Sequence, residues 1–173
     1  MLITGMVYQL SYPLLDEPDD VLVHERAGNL HRLTIANINR YMVHHLPRSY
    51  YLQPRSSLPL DNYSIPIPDI AVIEGSMDDH LDHTYFSAAL VIEVALESLA
   101  YDRGPKLNLY AKTGVLEYWI VNLRDATIEV HRDLHPLVAR YRQQEILRRG
   151  DVVRSPFDGT NIPVEELFLE RAP

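Results

Sequence analysis

Cysteine is absent from the 173 residues, and its absence removes disulfide frameworks, thiolate zinc sites and thiol chemistry together. A reducing, cytoplasmic compartment is the expectation that follows. Lysine is scarce as well: of 16 basic residues only Lys106 and Lys112 are lysine, so a generic positive charge in this chain is an arginine. No run approaches the ~20 apolar residues that a membrane span needs. The opening MLITGMVYQLSYP lacks the basic n-region of a signal peptide, so a soluble protein with no membrane partner is expected. No Gly-x-Ser-x-Gly elbow occurs, which leaves a Ser-His-Asp hydrolase without support. There is no internal repeat and no low-complexity tract.

Hydrophobic residues make up 46% of the chain, enough for one well-covered core and too little length for two, so residues 1–173 are read as a single domain. The formal net charge of −8 argues against nonspecific coating of nucleic acid, which rests on cations neutralising phosphates. The basic residues are nevertheless uneven. Ten of the 16 fall between Arg103 and Arg154, and RYRQQEILRRGDVVR carries five arginines. Either a solvated sheet edge or a local basic face fits that segment.

Residues 1–27 read as a turn-rich lead-in, with LDEPDD as a loop. From Gly28 to His45, Leu30, Leu33, Ile38, Tyr41 and Met42 fall near helical spacing, predicting an amphipathic helix that stops before Pro47. Strands are predicted at SYYLQP, DIAVIE, ALVIEVA, VLEYWIVN and TIEVHRD, the last two as a hairpin turning at Arg124 and Asp125, and VARYRQQEIL continues the β signal. KLNLYAKTG reads as a helix stopped by Gly114, and NIPVEELF as a short strand or turn over the core. Helix, strands, helix, strands fits an α/β (α+β) domain with a mixed β-sheet flanked by helices.

In LVIEVALES, Glu93 occupies the middle of a strand meant for the interior. An unpaired carboxylate there costs several kcal/mol. Side chains alternate along a strand, so Leu90, Ile92 and Val94 share one face while Val91, Glu93 and Ala95 share the other. Asp69 opens the preceding strand just after Pro68. If those strands are neighbours, Asp69 and Glu93 share a pocket, and two adjacent carboxylates need a proton or a bridging cation. A hard divalent ion such as Mg²⁺ is the natural bridge. On a helix starting near Asp102, the spacing of Asp102, Lys106 and Tyr110 places all three within about 80° of one another. That face can bring the Lys106 ammonium to the carboxylates. An ordinary ion pair between Glu93 and a basic residue is the competing account, as is a simple i, i+4 pair of Asp102 with Lys106.

PDIAVIE, LVIEVALES and DRGPKLNLYAKTGVLEYWIVN together resemble the PD-(D/E)XK nuclease superfamily, and more closely the Uma-type (Uma-two) restriction endonuclease family. The resemblance runs from about His31 to Val130, with residues 28–131 as its restriction endonuclease-like core. It implies an Mg²⁺- or Mn²⁺-dependent endonuclease acting on DNA, with Asp69, Glu93 and Lys106 catalytic. Asp69, Glu93 and the Val94 backbone carbonyl would hold the metal. Ala95 stands where many such nucleases place lysine, and Lys106 on the following helix takes that role. His31, Asp102 and Tyr110 match accompanying positions. Dimers are common among nucleases that cut two strands, so a homodimer is expected. Leu96 and Glu97 stand in place of the family's Ser-Pro, and Asn122 in place of an Asp. Those departures alter the pocket rim and a turn or contact behind the site. They keep open a second reading, a catalytically inactive nuclease-like module that binds DNA or protein.

Two histidine features complete the survey. His80 and His83 with Asp78, Asp79 and Asp82 form a weak metal-like pattern, which a solvated loop explains more simply. His44 and His45 suit the negative end of a helix dipole. Glu25 is a further conceivable ligand, ahead of the first helix.

Overall fold

The computed structural model describes residues 18–82 and 86–170. Its frame is a six-stranded sheet in the sequential order β1 to β6: β1 Tyr50–Pro54, β2 Ile70–Glu74, β3 Ala88–Ala95, β4 Glu117–Asn122, β5 Thr127–His135 and β6 Arg140–Arg148. All neighbours are antiparallel except β3 and β4, which are parallel. A parallel pair needs a crossover, and the helical segment between those strands supplies it. A small two-stranded sheet pairs β7 Val152–Arg154 with β8 Asn161–Pro163, followed by a 3₁₀ turn over Val164–Leu167. The mixed sheet flanked by helices agrees with the sequence reading.

α1 is longer than expected. It spans Pro18–His45, so ten residues assigned to the lead-in are helical. Pro18 opens it, as proline's fixed φ and missing N–H allow at a first helical position. Its buried face also differs by one step: Thr34, Ile35, Ile38 and Met42 are buried, while Leu33 is 54% exposed. The core sheet extends beyond residue 131, because β6 pairs with β5 over nearly its whole length.

Every residue of β3 and β4 is buried, so the sheet has a core on both faces. α1 and the C-terminal turn pack against Leu90, Ile92, Val94, Trp119 and Val121 on one face. On the other, Val91, Ala95, Tyr118 and Ile120 join Leu58, Leu60 and Tyr110. Ala95 therefore lies inside this second core, under the helical crossover.

That crossover is one helical run in three parts. α2 Leu99–Tyr101 leads into a π-helical stretch, Asp102–Lys106, and then α3 Leu107–Lys112. Pro105 lies inside the π stretch. It has no N–H to donate, and a widened turn is how a helix absorbs that loss. The Leu107 amide closes the turn on the Asp102 carbonyl, which also accepts the Tyr118 hydroxyl at 3.2 Å. Arg103 then fastens the stretch to the sheet through Nε and Nη2 bonds to the buried Glu129 carboxylate, at 2.6–3.1 Å. Gly114, at φ +86, ends the run as expected.

The register of α1 is testable by stability. Ile38→Ala should cost about 2–5 kcal/mol in urea unfolding, the usual range for a buried aliphatic truncation. Leu33→Ala should stay within about 0.5 kcal/mol; the reverse order would mean the helix is rotated.

Candidate active site

Ile70 lies opposite Ile92 in the β2–β3 register, which sets Asp69 beside Glu93 at one end of the strand pair. The Asp69 amide approaches Glu93 Oε2 at 3.4 Å. In return, Asp69 Oδ2 accepts the Val94 amide at 2.9 Å. The carboxylate of one strand thus caps the backbone of the next. His31 of α1 reaches the same corner, with Nε2 3.3 Å from Asp69 Oδ2.

Glu93 is 2% exposed, and both its oxygens are engaged. Oε1 accepts the Tyr110 hydroxyl at 2.7 Å. Oε2 lies 2.9 Å from Lys106 Nζ. The same ammonium stands 3.2 Å from Oδ1 of Asp102, a fully buried residue. Asp102 Oδ2 is held by Ser98 Oγ at 2.6 Å. The structure therefore brings Asp69, Glu93, Lys106, His31, Asp102 and Tyr110 together. It also realises the ion pair that the sequence left as a competing account of Glu93.

Burial pushes the Glu93 carboxyl up to about 7, against the opposing pull of Lys106 and the Tyr110 hydroxyl, and Asp69 adds to the rise. Burial works against the Lys106 charge, but Glu93 and then Asp102 outweigh it and hold the ammonium above its usual value. Burial likewise raises Tyr110, with Glu93 reinforcing it, so the phenol keeps its proton and can only donate to Glu93.

Three carboxyl groups against one lysine leave the corner short of positive charge. Among the described residues no three His, Asp or Glu side chains form a metal cluster. The chain's own contribution would be two carboxylates, and Asp69 Oδ1 has no hydrogen-bond partner among the described residues. Such a sparse all-oxygen donor set fits Mg²⁺ or Mn²⁺, which fill their remaining positions with water and substrate phosphate. It does not suit zinc.

Ser98 and the Arg103–Glu129 pair were missed in the sequence. Ser98, four residues before Asp102 at a helix start, was a readable cue; the Gly104-Pro105 breaker likewise announced the irregular turn. Nothing local marked Glu129 as the partner of Arg103. Asn122 proves to build its turn: Oδ1 accepts the amides of Arg124 and Asp125 at 3.0 and 3.2 Å, and Nδ2 donates to Asp125 at 2.9 Å. His80 packs its ring against Tyr51 and Phe86, with Nδ1 2.9 Å from the Ser76 carbonyl. His83 and the Glu25 side chain lie outside the described residues.

Residues 17–165 match the family model described as Uma2, putative restriction endonuclease. Among solved structures, the chain is similar to a putative nuclease belonging to DUF820 from Anabaena variabilis ATCC 29413, at 15% identity and TM-score 0.57. That match covers 80% of this chain and 78% of the other. It also matches the type IIG restriction endonuclease BpuSI at 20% identity and TM-score 0.43, over 79% of this chain and 14% of that one. No curated protein matches. At that identity the first likeness speaks for the fold alone, which this chain shares with that putative nuclease. No described helix is long and apolar enough to cross a membrane.

The Glu93 shift has a measurable consequence in metal-free protein. Below about 4.5, the ordinary value, folded and unfolded chains both carry the proton. Above it the unfolded chain ionises first, so stability is lost as pH rises through about 7. The total is about 3 kcal/mol at most. In EDTA, the stability of Glu93→Gln relative to wild type should increase by about 1–3 kcal/mol between pH 5 and 8 in urea titrations. A pH-independent difference would show Glu93 to be ionised throughout.

Proposed function

The chain belongs to the Uma2 family of putative restriction endonucleases, and from that premise we propose that it is a metal-dependent endonuclease hydrolysing phosphodiester bonds in DNA. The observation that supports this reading best is the meeting of Asp69, Glu93 and Lys106 at one corner of the sheet. Asp69 and Glu93, with the Val94 carbonyl, would hold Mg²⁺ or Mn²⁺. Bound there, the ion supplies Lewis-acid polarisation of the phosphate and acidifies a water.

The protein groups divide the remaining work. Asp69 is fixed by its bond from the Val94 amide, leaving Oδ1 available. Tyr110 holds Glu93 Oε1 and sets the carboxylate plane. Lys106 is 23% exposed in its side chain, so its ammonium can reach the solvent side, orient the attacking water and stabilise charge growing on the phosphate oxygens. Asp102, steadied by Ser98, keeps that ammonium charged and aimed. His31 positions Asp69 from the α1 side. The water oxygen bonds phosphorus as the ester bond to the leaving oxygen breaks. A homodimer would present two such corners to two strands, and the cytoplasm is the matching compartment.

One observation favours the second reading, a nuclease-like module without catalysis. Tyr110 and Lys106 each engage one Glu93 oxygen from within the chain. Calorimetry separates the two. On the nuclease reading, wild type binds Mg²⁺ or Mn²⁺ and both Asp69→Ala and Glu93→Ala abolish binding. Lys106→Ala should then keep metal binding but lower plasmid cleavage about 100-fold or more. Wild type that takes up neither ion would sink the enzyme reading. Full cleavage by Lys106→Ala would remove only the lysine's role.

A further inference from the structure

The five arginines of the 140–154 segment are not explained by the catalytic corner. β6 is the edge strand, and most of its residues are exposed. Where it faces α3, however, it closes a pocket with Asn108 on the helix and His131, Arg140, Tyr141, Arg142 and Gln144 on the β5–β6 hairpin. His131 is 5% exposed, and its Nε2 is buried without any hydrogen-bond partner. A buried ring nitrogen left unpaired costs about 1–3 kcal/mol. The His131 ring, set between Tyr118 and Tyr141, forms part of the pocket wall.

The pocket's other polar groups at Asn108, Arg140 and Gln144 are exposed and open to a ligand. Arg140 has no carboxylate within ion-pair reach among the described residues, and neither Asn108 nor Gln144 has a hydrogen-bond partner there. The neighbouring acids are already matched: Asp133 by Arg142 at 2.6 Å, and Glu129 by Arg103 at 2.6 Å. What the pocket presents is a guanidinium and two amides, beside an imidazole that burial keeps neutral, against the pull of Glu129. A set of donors with one free cation suits an anion with several oxygens.

Position narrows the anion's identity. Lys106 and Leu107 are adjacent in sequence, yet Lys106 reaches Glu93 while Leu107 lines this pocket. From β3 to β6 is three strand spacings, about 14 Å. That is roughly four nucleotides along one strand at ~3.4 Å each. Resting on the nuclease reading, we infer that the pocket between α3 and the β5–β6 hairpin binds a backbone phosphate about four nucleotides along the same DNA strand from the phosphate at the Asp69–Glu93–Lys106 corner. Arg140 supplies the charge, and Asn108 and Gln144 supply hydrogen bonds beside the His131 ring. The site carries affinity and register, without reading sequence.

The test is binding of a fluorescein-labelled duplex DNA of about 20 base pairs, by anisotropy in EDTA, over a range of salt. Arg140→Ala should weaken binding about five- to tenfold near 0.1 M salt and lower the log–log salt slope by about one. Gln144→Glu, an exposed substitution that leaves the core intact, should weaken binding at least as much by placing a carboxylate in the pocket. Both variants should hydrolyse bis(p-nitrophenyl) phosphate with Mn²⁺ at the wild-type rate, because that small ester reaches only the catalytic corner. Wild-type affinity and slope in both variants would overturn the inference, as would a wild type that does not bind duplex DNA. So would loss of the small-ester activity, which would move Arg140 into the catalytic corner. If DNA binding responds as expected while wild type cleaves neither substrate, the phosphate site stands and the nuclease reading alone fails.

Discussion

The Lys106 ammonium lies between two buried carboxylates, 2.9 Å from Glu93 on the sheet and 3.2 Å from Asp102 on the helical crossover. Neither acid could stay in that interior unpaired, and a lone lysine there would be as costly. The three are therefore stable only as a set, and the set fixes how the crossover lies on the sheet. Tyr110 completes it from one turn further on, bonding Glu93 from α3. Much of the second core, including Ala95 and Tyr118, packs under the helix so positioned.

The π-helical turn follows from the same constraint. A regular α-helix through Gly104-Pro105 would lose one backbone bond at Pro105. Widening the turn absorbs the loss, and the Asp102 carbonyl, bonded by the Leu107 amide, gains Tyr118 as a second donor. Arg103 bonds Glu129 on one side and Lys106 bonds Glu93 on the other, so the irregular stretch is held to two strands by opposite charges. Irregularity here is part of how the Asp69–Glu93–Lys106 corner is built.

Much of this was legible in the chain itself. The apolar β-branched runs gave away β2, β3 and β4 because a strand buried on both faces has little room for anything else. Glu93 stood out against that background, and Asp69 and Lys106 followed from strand pairing and helical spacing. What went unread has physical reasons. The start of α1 was hidden by LDEPDD, where Pro18 reads equally as a loop residue and as a first helical residue. Leu33 was assigned inward because its spacing suits either of two overlapping faces, and packing against the sheet chose Ile35 instead. Ser98 went unread because its hydroxyl bonds the Asp102 side chain rather than the backbone of the helix it precedes.

By itself the sequence determined the alternation of strands and helices, the surplus of carboxylates near one strand end, and the family to which those motifs belong. These are local properties, set by side-chain period, backbone propensity and the types of groups present. Only the tertiary structure decided that Lys106 would pair with Glu93 as well as with its helical neighbour Asp102. It also decided that Arg103 would find Glu129, 26 positions away, and that Arg140 would share a pocket with a buried histidine. Those pairings depend on which strands lie side by side and how a helix is rotated above them. The balance of burial against charge is settled only when the whole sheet is assembled.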